Sequence, residues 1–206
     1  KHYMTELFDI TPSKVHAIHL SINEVAYEPR AYQPTPGRCR VLFIGTLIPL
    51  HGIQAIAEAI NELRDDSCIE FRIIGNGPQA EHLEQLQKSQ ATNFEWIRKW
   101  QNPQQLAQEI AQSDICLGIF GDSAKTDRVC PLKLYSYMLV GRPIITGDTE
   151  WSRHTLEQQS EIVFQTVTPD NSKKLAEQIK KLADNPQDRV QLAAASQSYY
   201  KDNLTN

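Results

Sequence analysis

From residue 40 onward, short continuous apolar runs alternate with longer segments of helical periodicity, and this alternation restricts the chain more than any other feature. The run 40–46 (RVLFIGT) is apolar nearly throughout and ends at a glycine, as expected of a strand buried on both faces. The spacing of Ile53, Ile56, Ala57, Ile60 and Leu63 predicts a helix over 52–64. A second strand is expected over 70–74, closed by Gly75-Asn76-Gly77-Pro78, then a polar helix over 79–90 and a short strand over 94–97. Asn102-Pro103 reads as a helix start, with Asn as N-cap and Pro in the first turn. Further strands are expected over 114–120, 143–146 and 162–167. Between and after them lie helices over 132–140, stopped by Gly141, over 171–184, with Leu175, Ile179 and Leu182 on one face, and over 186–201.

Strands alternating with helices imply βαβ units. Right-handed crossovers then place helices on both faces of a parallel sheet. The expected fold class is therefore α/β, a Rossmann-like doubly wound parallel sheet of six strands. Residues 1–38 differ: they hold Pro12, Pro29, Pro34 and Pro36 and one short apolar stretch, 15–22. They read as a hinge or lead segment, with the domain over 39–206. A chain that begins at Lys1 rather than Met reads as a piece of a longer polypeptide.

Composition narrows the function. Lys and Arg number 21 against 25 Asp and Glu, a formal net charge of −4, which argues against a dedicated nucleic-acid binder. No apolar run approaches the ~18 residues of a membrane span. Cys39, Cys68, Cys116 and Cys130 are widely spaced with no CxxC pair, which suits reduced, buried thiols of a cytoplasmic protein and no metal site.

Ligands of such sheets bind at the carboxyl ends of the strands, beside helix N-termini. The turns that matter are thus 45–52, 75–78, 121–132 and 147–154. Gly45-Thr46 followed by His51-Gly52 lets backbone amides approach an anion at a helix start, although taken alone these residues are better explained as a tight turn without ligand. Gly75, Asn76 and Gly77 are open to the same two readings. The stretch 120–138 places Lys125, Arg128 and Lys133 near the start of a helix, where cations are unfavourable by ~0.3–1 kcal/mol each. A bound diphosphate would reverse that sign through charge-assisted hydrogen bonds. No Asp or Glu lies between Arg128 and Gly147, and no nucleophile–base arrangement is evident from spacing. Trp96, Trp100 and Trp151 offer faces for a base or sugar, although core packing is the default for such residues.

The segments VLFIGTLIPLHGIQAIAEAI (41–60), FRIIGNGP (71–78), SDICLGIFGDSAKTDRVCPLKLYSYMLVGRPIITGD (113–148) and KLAEQIKKLADNPQDRVQLA (174–193) resemble, in order and spacing, one known architecture. It is the C-terminal, donor-binding domain of group 1 glycosyltransferases with the GT-B fold, and residues 15–29 are similar to the hinge that enters it. The resemblance implies retaining sugar transfer from a nucleotide-diphosphate sugar, with no further cofactor. The acceptor-binding N-terminal domain of the same chain would be the partner and would carry any peripheral membrane contact, so the domain alone is expected to transfer little. By the same resemblance Gly45 and Thr46 line the phosphate turn with Gly52, and His51 stands where a lysine is usual. Lys133 matches the phosphate-binding lysine. Leu134 is a further candidate contact, and Ser136, Tyr137 and Met138 follow where the ribose-binding carboxylate usually begins. The family's E-x7-E carboxylates fall at Arg128 and Ser136, so both are lost here, and Arg128 becomes a candidate phosphate contact beside Lys133. The alternative is a degenerate, non-catalytic module on the same fold that binds nucleotide or a protein.

Overall fold

The computed structural model describes residues 2–16, 21–22, 24–89, 91 and 93–204. Six strands form one sheet: β1 (Cys39–Ile44), β2 (Ile69–Ile74), β3 (Phe94–Ile97), β4 (Ile115–Leu117), β5 (Ile144–Gly147) and β6 (Gln165–Val167). Their order is β3-β2-β1-β4-β5-β6, and every pairing is parallel. The order therefore reverses between β1 and β4, which opens a crevice at their carboxyl ends.

The pleat explains the continuous apolar runs. Val41 and Phe43 of β1 and Phe71 and Ile73 of β2 face one layer, built from α2 (Ile53–Glu62), α3 (Ala80–Lys88) and α8 (Ser172–Asp184). Leu42, Ile74, Cys116 and Ile144 face the other, built from α4 (Pro103–Ala111), α6 (Leu132–Val140) and α9 (Pro186–Asn203). A strand covered on both faces needs apolar residues at consecutive positions.

Local signals are realised at several boundaries. Asn102 caps α4 by accepting from the Gln105 amide, and the Gln105 side chain accepts from the Asn102 amide in return. Gly141, in the left-handed region at φ 73°, ends α6.

The structure also corrects the sequence reading. The strand expected over 114–120 pairs only over Ile115–Leu117, and that over 162–167 only over Gln165–Val167. The long loop 121–131 contains a short helix, α5 (Ala124–Arg128), capped by Ser123, and the turn 147–154 runs into α7 (Glu150–Glu157), capped by Thr149. Arg128 closes α5 while Lys133 opens α6, so Lys125, Arg128 and Lys133 do not share one helix start. Cys68 is exposed, not buried. The lead contains a helix of its own, α1 (His2–Leu7), and part of its apolar stretch, 17–20, lies outside the described residues.

The end of the lead is tied to the domain by two buried arginines. Arg142, 3% exposed, donates to the Ile110 and Ala111 carbonyls at the end of α4 and to the Arg30 and Gly141 carbonyls. It satisfies carbonyls that a helix end leaves open. Arg189, 1% exposed, donates to the Leu182 and Ala183 carbonyls at 2.5 and 2.7 Å and to the Tyr32 hydroxyl at 2.8 Å. Tyr32 donates in turn to Asp114 at 2.6 Å, and the other Asp114 oxygen accepts from the Arg40 amide at 2.8 Å. Burial and then the Asp114 carboxylate push the Tyr32 phenol far above its ordinary pKa, so it stays a donor.

Candidate functional site

The turns after β1, β2 and β4 meet at the crevice. Gly45 and Gly75 lie back to back: a Cβ on Gly75, at φ 141°, would stand 1.9 Å from the Gly45 carbonyl oxygen. A side chain there has no room, and that φ is nearly restricted to glycine. Gly75→Ala is therefore expected to destabilise the domain by about 1–3 kcal/mol through overpacking and a further ~1–3 kcal/mol through backbone strain, read as a lowered denaturation midpoint. A midpoint within ~0.5 kcal/mol of the parent, the range of harmless surface changes, would show that the turns do not touch.

Gly45 has a second constraint. A Cβ on it would stand 2.9 Å from the Lys133 Nζ and 2.9 Å from the His51 Cε1. Bare backbone at Gly45 is what lets the two side chains share its surface. His51 is buried and donates from Nδ1 to the Thr46 carbonyl, with its ring edge-on to Phe43. Lys133, half-buried in the first turn of α6, places Nζ 4.1 Å from the centre of the Phe43 ring and 3.4 Å from the Gly118 carbonyl oxygen. Its near neighbours are thus a ring, a carbonyl and an imidazole. Burial holds the Lys133 pKa well below the usual lysine range. Burial, and then the Lys133 charge, push His51 down to about 4 against the opposing pull of the Thr46 carbonyl, so its imidazole is neutral near pH 7.

The backbone amides divide into two groups. Those of Gly45, Gly75 and Gly52 are engaged within the fold, donating to the Ile74, Ile97 and Pro49 carbonyls. Gly77 donates to the Asn76 side chain. The glycine turns therefore shape the crevice more than they supply donors to it. Helix starts supply further donors: the first turn of α2, directly after His51 and Gly52, and of α6, whose N-cap Pro131 provides no side-chain cap.

The other candidates fall elsewhere. Leu134 and Tyr137 are fully buried, and the Tyr137 hydroxyl accepts from the Ile44 amide. Ser136 is 7% exposed. These side chains of α6 pack toward the sheet. Arg128 is exposed at the end of α5.

The sequence reading missed two groups of residues. Gly118, inside a run read wholly as strand, has its Cβ position 2.3 Å from the Thr146 hydroxyl, and the Phe120 and Gly121 amides donate to His51 and Leu50. The loop after β4 is thereby stitched to the turn after β1. A glycine inside an apolar run is the signal that marks such a close approach. The second group, Arg98, Lys99 and Gln101, joins Gly45, Thr46, Gly75, Asn76 and Trp100, the last already offered by the sequence as a stacking face, around a cleft of about 370 Å³. Trp100 is 80% exposed there, whereas Trp96 donates to the Gly75 carbonyl beneath the Arg98 guanidinium and Trp151 stacks on Phe164.

The family profile described as "Glycosyl transferases group 1" matches residues 38–185, well over half of the chain. The chain belongs to the group 1 glycosyltransferase family. Several solved structures share the fold of this glycosyltransferase domain. The C-terminal domain of the group 1 glycosyl transferase LpcC from Francisella tularensis superposes with a TM-score of 0.72 at 15% identity, over 89% of this chain and 98% of that one. Sucrose-phosphate synthase from Thermosynechococcus elongatus gives 0.70 at 18% identity, over 88% of this chain and 46% of its own. HepE from Anabaena, solved in complex with UDP and glucose, gives 0.71 at 13% identity, over 90% and 51%. The glycosyltransferase chain described here thus spans about half the length of the latter two proteins. Comparison with curated protein sequences returns no significant match.

Proposed function

We propose that this domain is the donor half of a retaining glycosyltransferase and holds the diphosphate of a nucleotide-diphosphate sugar. The observation that carries the reading is the Lys133 Nζ, set against Gly45 at the open ends of β1 and β4 and held by a ring and a carbonyl. A basic group so placed, beside two uncapped helix starts, is built for an anion that arrives from outside. Cleavage of the sugar–phosphate bond develops negative charge on the leaving diphosphate. Lys133 and the first-turn amides of α2 and α6 stabilise that charge in a crevice where water is scarce. Thr46, Asn76 and Trp100 line the cleft into which the rest of the donor extends. The HepE complex with UDP and glucose supports this choice of ligand class. An N-terminal domain of the intact protein would bring the acceptor and any membrane contact, and the setting would be cytoplasmic.

One observation favours a second reading. Arg128 and the buried Ser136 occupy the positions of the family's carboxylate pair, which suits a module that binds nucleotide or a protein without transferring sugar. Calorimetric titration of UDP, GDP and ADP separates the two. The donor reading expects one nucleotide to bind in preference to the others, and release of that nucleotide from its sugar conjugate by the intact protein. Absence of binding for all three supports the protein-binding module instead.

A further inference from the structure

We propose that an incoming diphosphate draws a proton into the corner formed by His51 and Lys133, so that occupation of this site is coupled to proton uptake. The inference rests on the donor-site reading and extends it to how the site responds to pH.

The geometry is that of two basic groups confined together. Both touch the space of one missing methyl group on Gly45, so they face each other across its width. The remaining contacts are the Phe43 ring and the carbonyls of Thr46 and Gly118, which carry no net charge. Among the described residues the surrounding elements bring no carboxylate against either group: at the neighbouring strand ends Asp148 pairs with Arg153 and Asp170 is exposed. Among the described residues, β1 carries Cys39 and Arg40 at its opposite end, β4 has only Cys116 as a titratable group, and β5 has none. On α6 the other titratable groups are Tyr135 and Tyr137. Glu58 and Glu62 of α2 are exposed, as are Asp122, Lys125 and Arg128 beyond β4. Asp127 faces α7, where it accepts from the Glu150 amide at 2.8 Å and lies 3.8 Å from Arg153.

In the free protein loss of water disfavours both protonated forms, and the Lys133 charge further disfavours that of His51. Both pKa values are held below their ordinary range, His51 at about 4. A diphosphate beside them favours the charged forms and raises both values. At any pH between the free and bound values of one group, binding takes up a proton, and affinity falls as pH rises, by up to tenfold per pH unit for each proton coupled.

The test is calorimetry of the 206-residue chain with UDP, GDP and ADP at pH 8, where the terminal phosphate, with a pKa of about 6, is already ionised. Titrations are run in two non-phosphate buffers of different ionisation enthalpy. The expected result is net proton uptake on binding, abolished in Lys133→Arg, whose guanidinium does not titrate. A nucleotide that binds with equal heat in both buffers overturns the proton coupling and leaves the donor reading standing. A second measurement needs no nucleotide: the ε-carbon resonance of Lys133, identified by its loss in Lys133→Arg, is followed against pH in the free protein. Titration well below the ordinary lysine range supports the confined corner even if none of the three nucleotides binds, which places the failure with the donor reading. Titration in the ordinary range overturns the inference.

Discussion

Replacing Lys133 by alanine is expected to weaken binding of the preferred nucleoside diphosphate by roughly 10- to 100-fold, because a hydrogen bond to a charged group contributes about 1.5–3 kcal/mol. If the intact protein transfers sugar, the same substitution is expected to lower the rate by roughly 10²–10³, the range for removing one preorganised donor from a developing oxyanion. The opposite change is expected in the stability of the free protein. Lys133 has a depressed pKa in the folded state, so stability is lost as pH falls from the ordinary lysine value toward the folded one, where only the unfolded chain takes up the proton. Lys133→Met keeps the apolar stem over Phe43 and removes that loss, so its midpoint at neutral pH is expected to equal or exceed the parent's. Lost binding with retained stability identifies a ligand-binding lysine. Lost stability with unchanged binding would make it a structural one. Calorimetry and thermal denaturation on the same two variants decide between them.

Arg189→Leu is expected to be among the most destabilising single changes in the domain, by about 3–5 kcal/mol. Its guanidinium is 1% exposed and donates to two carbonyls at the end of α8 and to Tyr32, which donates to Asp114. Truncation leaves those carbonyls without a donor and removes the cation that reaches the buried Asp114 carboxylate through Tyr32. For a domain of this size the midpoint is expected to fall by about 2–4 °C per kcal/mol. Tyr32→Phe interrupts the same chain at its middle, and its effect combined with Arg189→Leu is expected to be less than additive, since both variants disturb one network. Strict additivity in urea denaturation would show that Tyr32 and Arg189 act separately. The consequence reaches beyond stability, because this network ties the segment leading into β1 to α9, the last helix of the domain.

Much of the architecture was legible before any coordinates. β1, β3 and α6 fall within a residue or two of their expected bounds, and the Asn102 and Gly141 signals sit where their chemistry places them. These are local effects: apolar periodicity over a few residues, a side-chain oxygen meeting an amide three positions on, a glycine free to take a positive φ. The shortened β4 was not legible, because Ile119 and Phe120 are as buried as a strand while their backbone turns toward His51, Thr146 and Asp170. Hydrophobicity reports burial and does not say which partner receives the amide. Helices α5 and α7 were hidden for a related reason: each is short and polar, and its signal is a cap (Ser123 or Thr149) more than a period.

The candidate site divides along the same line. From residue order alone came the parallel doubly wound sheet, the family resemblance, and the attention given to Gly45, His51 and Lys133, since strand–turn–helix succession and charge in a helix's first turn are properties of neighbours in the chain. Only the folded chain decided that Lys133 meets His51 across a bare Gly45, that the amides of Gly45, Gly52 and Gly75 are already engaged, that Arg128 ends a separate helix, and that Trp100 stands beside the same cleft. Those facts depend on which distant segments come into contact, and packing of the two helical layers on the sheet sets that where no local pattern does.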